Sequence, residues 1–325
     1  METKWLEDFI SLAETRSFSR SAELRHVTQP AFSRRIQSLE AWLGVDLIDR
    51  SIYPACLSEA GEIFYEQATE MLGLINSVRT LIRGKRMTEQ NTIGFAAPHA
   101  LSLCFMPRFL TQVQAGFGAL NTQLQSLNVH DAVQSLKDGE SDLLLCYYHP
   151  RQPIPLDPRR YDALVLGGET MRPYVRCDKS GRPDLLLPGT SAAPIPYLAY
   201  TSHAYLGRIV DLIFTEAKKN PYLEKRYETA MAEGLKMMAL EGHGLAFLPD
   251  SSVAREIKQR KLAPADNGQA EWAIDLDIRL YREKPSSQRP GKPVADKLWD
   301  YLQRKMKESS SSRLRRRSAP GKAKV

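Results

Sequence analysis

The chain has 325 residues, room for two or three domains, and carries 45 Lys and Arg against 38 Asp and Glu, a formal net charge of +7. No apolar run approaches the roughly 18 residues that a membrane span requires, and the first five residues begin no signal peptide. The four cysteines and six histidines lack metal-ligand spacing, so we expect a cytosolic protein with reduced cysteines, no metal and no cofactor.

Two helices are predicted at the N-terminus. The first is amphipathic, and its apolar residues recur on one face at helical spacing: Trp5, Leu6, Phe9, Ile10 and Ala13. The turn at residues 17–19 then supplies a cap for a short second helix, which carries Ala22 and Leu24. These two helices provide an apolar surface against which a third can pack.

The third predicted helix has one apolar and one polar face. Thr28 is its predicted N-cap, Pro30 falls in the first turn, and Gly44 ends it. Polar side chains at the exposed start of a helix can reach base edges in a major groove. An ordinary amphipathic surface helix fits this pattern equally well by itself, and the neighbouring segments favour the DNA-reading interpretation. The apolar stripe comprises Phe32, Ile36, Leu39 and Leu43, and the opposite side comprises Gln29, Pro30, Ser33, Arg34 and Gln37.

Two short strands are predicted after this helix, at residues 47–50 and 55–57, around a turn that contains Tyr53 and Pro54. Three helices followed by a two-stranded wing form a DNA-binding arrangement in which the third helix enters the groove. Arg50 lies at the wing, where a guanidinium can contact a phosphate or the minor groove.

The N-terminal segment also contains a long, ordered pattern: Phe9, Phe18, Ser19, Ala22, Gln29, Pro30, Ala31, Ser33, Arg34, Ile36, Leu39, Glu40, Gly44, Val45, Leu47, Arg50, Leu57, Ser58 and Gly61. On this pattern it resembles the winged helix-turn-helix of LysR-type transcriptional regulators. The resemblance implies a cytoplasmic, nucleoid-associated regulator, not an enzyme, that binds double-stranded promoter DNA and can contact RNA polymerase. It places DNA contacts at Thr28, Gln29, Pro30, Ser33, Arg34 and Arg50, to which the helical pattern adds Gln37.

A long helix is predicted next, from Ser58, a good N-cap, to Gly84. A single buried helix is the alternative interpretation, but polar flanks favour a narrow stripe that pairs with a second copy of the chain. A homodimer, or a homotetramer, would present two recognition helices to a pseudo-palindromic site. The heptad seam predicted for this pairing comprises Phe64, Ala68, Met71, Ile75, Val78 and Ile82.

After a polar hinge at residues 85–91, strands and helices alternate. This pattern predicts an α/β module of two subdomains crossed twice by the chain. On residues 139–143 and 242–249 it resembles the effector-binding domain of LysR-type regulators, which has the periplasmic-binding-protein fold. We expect strands at 93–97, 123–127, 142–147, 162–166, 171–176, 197–200, 245–248 and 272–281, and helices at 99–113, 131–137, 206–214, 233–240 and 294–306.

Two polar strand-to-helix junctions are candidates for an effector site. Ligands of open α/β folds bind where strand C-termini meet helix N-termini. Ordinary helix capping explains the same hydroxyl residues equally well. The candidate effector-binding residues are His99, Ser102, Thr201, Ser202 and His203.

Within the family, residues 2–6, 29–36 and 231–236 resemble the hypochlorite-responsive LysR-type factor of enteric bacteria. That resemblance implies sensing by methionine oxidation, because a sulfoxide is polar where the thioether was apolar. Met231 is the oxidant-sensing candidate, while Val113 and Leu206 stand where two further methionines would be required. Methionines at helical spacing more often fill a core.

The C-terminal end holds the chain's net positive charge. From Arg304 onward there are nine Lys or Arg and one acid, so this segment carries +8 and the rest of the chain sums to −1. Residues 1–50 hold seven basic and eight acidic residues, so the basic pI does not itself indicate DNA binding. Residues 309–325 have few apolar side chains, and we expect a disordered tail that is either merely solvated or attracts phosphates.

The predicted architecture is an α/β protein with an all-α-type winged helix-turn-helix at 1–57, a dimerisation helix and hinge at 58–90, a regulatory domain at 91–308 and a tail at 309–325. An enzyme is disfavoured because no nucleophile elbow, P-loop or paired-His motif occurs. An architectural DNA-binding protein, or a small-molecule-binding module without promoter selectivity, is the alternative function.

Overall fold

The computed structural model describes residues 2–50, 55–82, 92–266, 268–286 and 291–317. It gives only the backbone at residues 70, 73–74, 76–82 and 309–317. The chain divides into two compact units, here called the N-terminal and C-terminal units. The N-terminal unit comprises Met1–Glu89 with the short segments Lys137–Glu140 and Pro155–Tyr161, and the C-terminal unit comprises the rest.

The N-terminal unit contains the predicted three helices, wing and long helix. Its elements are α1 (Thr3–Thr15), α2 (Phe18–Leu24), α3 (Gln29–Leu43), β1 (Ile48–Asp49), β2 (Cys56–Leu57) and α4 (Glu59–Ile82). The wing strands are antiparallel, with Ile48 opposite Leu57 and Asp49 opposite Cys56. The predicted turn at Tyr53 and Pro54 lies outside the described residues.

The apolar stripes of α1 and α3 form the core of this unit. Phe9, Phe32, Ile36 and Leu39 are all fully buried. The ring of Phe32 meets that of Phe18 edge-on, with centroids 6.1 Å apart. Burial of each such side chain stabilises the fold by about 1.5–3 kcal/mol, so this stripe fixes the rotation of α3.

The first half of the dimer seam predicted on α4 packs within the chain's own N-terminal unit, which corrects that part of the prediction. Ala68 is fully buried in the N-terminal unit's own core, and Phe64 and Met71 pack against that core. The ring of Phe64 lies 5.3 Å from that of Phe9, centroid to centroid. Heptad spacing shows only that a stripe needs burial, and here the same chain covers it. Ile75 is 40% exposed, and the side chains of Val78 and Ile82 lie outside the described residues, as does the predicted hinge.

The C-terminal unit alternates strands and helices as predicted. Its first half contains β3 (Thr92–Pro98), α5 (His99–Cys104), α6 (Met106–Phe117), β4 (Asn121–Leu127), α7 (Val129–Lys137), β5 (Leu143–Tyr148) and β6 (Tyr161–Arg176). Its second half contains β7 (Ile195–Tyr200), α8 (Tyr205–Glu216), β8 (Leu223–Thr229), α9 (Ala232–Leu240), β9 (Leu245–Pro249), α10 (Asp250–Lys258), β10 (Leu262–Pro264), β11 (Ile274–Glu283) and α11 (Pro293–Arg317).

The sheet order is β4-β3-β5-β11-β6-β9-β7-β8, with β10 paired to β6. Strands β4, β3 and β5 are mutually parallel, and so are β8, β7 and β9. The antiparallel strands β11 and β6 lie between these two parallel groups. This order is that of two α/β subdomains crossed twice by the chain, which confirms the predicted periplasmic-binding-protein-like architecture.

Two predicted elements of this unit are corrected. The helix expected at 99–113 is two helices, α5 and α6, which break at Phe105 because Pro107 in the first turn of α6 cannot continue an earlier helix. The strands expected at 162–166 and 171–176 are one strand, β6, whose later residues pair with both β9 and β10.

Strands β8 and β10 and helix α10 were not predicted. Most of β8 is exposed and its sequence, LEKRYET, lacks apolar alternation, because β8 is an edge strand. Helix α11 continues to Arg317, which corrects the disorder expected from residue 309. Arg is a good helix former, and a helix already nucleated by packing extends at little cost. Residues 318–325 lie outside the described part of the chain.

Among the described residues, no helix combines the length and apolar character that crossing a membrane would require.

Candidate nucleic-acid interface

The start of α3 presents the polar residues that the sequence singled out. Thr28, Gln29, Pro30, Arg34 and Gln37 are exposed and Ser33 is half-buried, on the side opposite the buried stripe. Thr28 occupies the N-cap position as predicted, but its side chain makes no capping hydrogen bond. Gly44 ends the helix with φ 74°, a left-handed conformation that glycine adopts without strain.

Buried carboxylate Asp8 ties α1 to the helix-turn-helix. It is fully buried and lies 2.8 Å from the Arg25 Nε and 3.2 Å from the Arg35 Nη1. Arg25 also contacts Glu7. Burial opposes the charged form of Arg25, but the hydrogen bonds and charges of Asp8 and Glu7 outweigh it and raise the pKa of Arg25. These pairs hold the α2–α3 turn in place and neutralise two arginines.

A second buried carboxylate, Glu40, connects α3 to the wing. It accepts hydrogen bonds from the backbone N–H of Leu47 at 2.9 Å and of Ile48 at 3.2 Å, and it contacts the guanidinium of Arg50. Arg50 also lies 3.7 Å from Asp46. The predicted DNA contact Arg50 is therefore held by acids of its own chain, although 44% of its side chain is exposed.

Helix α3 and the wing share one continuous surface. A shallow groove of about 570 Å³ between them is lined by residues that include Gln37, Ala41, Val45 and Arg50. Gln37 and Arg50, which the sequence analysis assigned separately, thus line the same groove. The wing is held against α4 by Ser58, whose hydroxyl donates to the Asp46 carbonyl at 2.7 Å and accepts from the Gly61 N–H at 3.0 Å.

The candidate effector residues lie at the C-terminal ends of β3 and β7. His99 Nδ1 is 2.8 Å from Ser126 Oγ, which connects the first junction to β4. Ser102 is buried, and its hydroxyl donates to the carbonyls of Ala97 and Pro98. That hydroxyl is already engaged by carbonyls at the end of β3, which favours the structural over the ligand-binding interpretation.

At the second junction, Ser202 and His203 are exposed and Thr201 is half-buried. The His203 carbonyl accepts a hydrogen bond from Arg208 Nη1 at 2.9 Å, and the Thr201 N–H donates to the Thr229 carbonyl at 3.2 Å. The side chains of this junction therefore remain more accessible than Ser102 at the first.

Two tyrosine hydroxyls that the sequence did not single out lie buried in this unit. The hydroxyls of Tyr147 on β5 and Tyr200 on β7 are inaccessible and find no hydrogen-bond partner among the described residues. Burial, and secondarily the negative charge of Glu169, raises the pKa of Tyr147. No local sequence pattern signals this feature, because it depends on which residues surround the phenol.

The oxidant candidate Met231 is the N-cap residue of α9 and is 45% exposed. Met237, on the same helix, is 51% exposed. Between them, Lys236 is nearly buried, with its ammonium 2.8 Å from Glu233 and 3.2 Å from the Ser252 carbonyl. Within the described ranges, no group of three or more His, Cys, Asp or Glu residues is arranged to hold a metal ion.

Two family models match the chain. Residues 3–62 match the bacterial regulatory helix-turn-helix protein of the LysR family, and residues 87–307 match the LysR substrate binding domain. The chain therefore belongs to the LysR family, a class of bacterial DNA-binding transcriptional regulators. This membership confirms the family and the fold that the sequence pattern predicted.

Particular relatives show the same organisation over almost the whole chain. The HTH-type transcriptional regulator YjiE of Escherichia coli is 32% identical over 93% of this chain and 94% of its own. Vibrio fischeri DarR, solved in complex with DNA, has a TM-score of 0.56 at 30% identity, covering 93% of this chain and 98% of that one. Full-length HypT of Salmonella typhimurium, described as a hypochlorite-specific LysR-type regulator, has a TM-score of 0.54 at 32% identity, covering 93% and 97%.

Replacement of Tyr147 by Phe is expected to leave the free energy of unfolding unchanged or to raise it by about 1–3 kcal/mol, since it removes a buried hydroxyl that has no partner among the described residues. Chemical denaturation of the purified protein measures this change.

The matched control is Tyr174→Phe, because Tyr174 is equally buried but its hydroxyl donates to Asp250 at 2.6 Å. We expect Tyr174→Phe to lower the free energy of unfolding by about 1.5–3 kcal/mol. Equal losses in the two variants would show that the Tyr147 hydroxyl is satisfied in solution.

Proposed function

We propose that this LysR-family regulator reads promoter DNA with the start of α3 and the wing, acts as a dimer and responds to an effector or oxidant through its C-terminal unit. The observation that carries the DNA-reading assignment is the exposure of Arg34 and Gln37 directly opposite the buried stripe of α3. The proposed contact residues are Thr28, Gln29, Pro30, Ser33, Arg34, Gln37 and Arg50.

The chemistry of these residues suits base recognition. The guanidinium of Arg34 can donate two hydrogen bonds to a guanine, and the amide of Gln37 can pair with an adenine. Thr28 and Ser33 supply hydroxyls that can donate or accept. Arg50, held by Glu40, would contact a phosphate and set the register of α3 in the groove.

Arg34→Ala is expected to weaken binding to a target promoter about ten- to a hundredfold, because a good base-edge contact contributes about 1–3 kcal/mol. Fluorescence anisotropy on a fragment recovered by genome-wide mapping of bound sites measures this loss.

The control is Lys258→Ala, which removes one exposed positive charge from α10 in the C-terminal unit. Equal affinity of wild type and Arg34→Ala for the mapped fragment would remove Arg34 from the reading surface. A footprint without spaced half-sites would instead favour an architectural protein.

Dimerisation is proposed through the part of the α4 stripe that the N-terminal core leaves uncovered. Ile75 is 40% exposed on the predicted seam, whereas Ala68 is fully buried within its own unit. An exposed isoleucine on a long helix is stabilised when a second apolar surface covers it.

Ile75→Lys is expected to shift the protein toward monomer, because the ammonium group would have to lose water in the interface. Sedimentation velocity at several protein concentrations measures the shift. Gln67→Lys adds the same charge on an exposed polar flank of α4 and should leave the association unchanged. A stable dimer of Ile75→Lys would place the principal interface elsewhere.

Hypochlorite is the proposed signal, because the chain is similar to HypT and because Met231 is exposed. One hypochlorite ion transfers its oxygen atom to the thioether sulfur, which gives a sulfoxide and chloride. Three of the four cysteines are weaker candidate targets, because burial raises the pKa of the Cys104, Cys146 and Cys177 thiols and so disfavours the reactive thiolate. A small-molecule effector at Thr201, Ser202, His203 and His99 is the alternative signal.

Under limiting hypochlorite, we expect oxidation at Met231 well before Met106 and Met171, which are 1% and 0% exposed. Peptide mass spectrometry measures the extent at each site. Met231→Leu should keep promoter binding but abolish the change in binding that hypochlorite causes in the wild type. An unchanged response in Met231→Leu would exclude Met231 as the sensor.

A further inference from the structure

The last part of α11 is a positively charged helix that extends beyond the packed core. Its first turns are anchored, since Leu298, Trp299 and Leu302 are buried. Arg282 lies over the Trp299 ring at 4.6 Å and pairs with Asp296 at 3.1 Å. After Leu302, residues 303–305 and 307–308 are exposed while the helix continues to Arg317.

This basic extension, residues 304–317, is long enough to form a separate contact surface. At a rise of about 1.5 Å per residue, the helix advances on the order of 20 Å from Leu302 to its end at Arg317. It contains seven Lys or Arg and one acid, Glu308. Cations three or four positions apart in a helix repel one another, so such a helix is stabilised when a polyanion lies along it.

The N-terminal unit supplies little net positive charge of its own. Residues 1–50 contain seven basic and eight acidic residues. Three of the seven, Arg25, Arg35 and Arg50, are engaged by carboxylates of the same unit. Base contacts provide specificity, whereas phosphate neutralisation provides much of the affinity of a DNA-binding protein.

We propose that the basic extension is a second DNA-contacting element, which binds the phosphate backbone of a duplex without reading its sequence. The inference rests on the proposed function, since it takes promoter DNA as the polyanion. The charge distribution favours this occupant. The chain without residues 304–325 sums to −1, so the positive field that attracts DNA originates in the C-terminal segment to which the extension belongs.

The test compares two four-fold variants of full-length protein at Arg313, Arg315, Arg316 and Arg317. In one variant all four residues become Gln, and in the other all four become Lys, which keeps the charge. Affinity is measured across a salt series on the mapped promoter fragment and on a duplex of unrelated sequence. In the Gln variant, the slope of log affinity against log salt should become shallower by about 0.9 for each phosphate that is no longer neutralised, on both duplexes. In the Lys variant, the slope should remain near that of the wild type.

A control variant removes four positive charges elsewhere in the C-terminal unit. In it, glutamine replaces Lys218, Lys219, Lys225 and Arg226. Its slope should remain that of the wild type. Equal slopes for the wild type and the extension Gln variant would overturn the proposal, and so would an equal change of slope in the control. Weaker binding to RNA or anionic vesicles without any change on duplex DNA would overturn it in favour of another polyanion.

The same measurements separate this inference from the proposed function. In one outcome, the wild type binds both duplexes equally while the Gln variant shows a shallower slope of log affinity against log salt. That result would contradict promoter reading but support the proposal for the basic extension. A wild type that prefers the mapped fragment, with a slope that is independent of the extension, would retain promoter reading and overturn the extension.

Discussion

The buried stripe of α3 is the constraint on which the proposed DNA-reading surface depends. Phe32, Ile36 and Leu39 are each 0% exposed, and a helix has a fixed angular period, so their burial determines where Arg34 and Gln37 point. A rotation of α3 that withdrew Arg34 from solvent would bury a guanidinium without a partner, at a large free-energy cost. Apolar packing therefore orients polar side chains that contribute nothing to the packing themselves.

Carboxylates hold the N-terminal unit together and at the same time cancel its charge. Asp8 fixes Arg25 and Arg35, and Glu40 fixes Arg50 together with the backbone of the wing. These pairs position the elements that are proposed to meet a DNA groove, but the arginines they engage attract phosphates less strongly. The net positive charge of the chain lies instead in residues 304–325, so the proposed base recognition and the proposed phosphate attraction belong to different parts of the sequence.

The C-terminal unit places its candidate ligand junctions at the ends of two separate parallel groups of strands, joined by β11 and β6. An effector that binds residues of both groups favours the arrangement of the subdomains in which it makes the most contacts. The buried hydroxyls of Tyr147 and Tyr200 lie on strands of the two groups. Unpaired polar groups of this kind carry a desolvation cost, which natural sequences tend to accept at functional sites.

Local pattern in the sequence determined the helices of the N-terminal unit, the end of α3 at Gly44, the exposed polar residues of α3 and the α/β alternation, because periodicity and capping act within a few residues. Only the tertiary structure decided that Ala68 lies in its own chain's core, that Glu40 holds Arg50, and that the Tyr147 hydroxyl is enclosed without a partner among the described residues. Each of these depends on contacts between residues distant in the chain. An apolar stripe predicts that its side chains are buried, but only the tertiary structure shows which residues bury them.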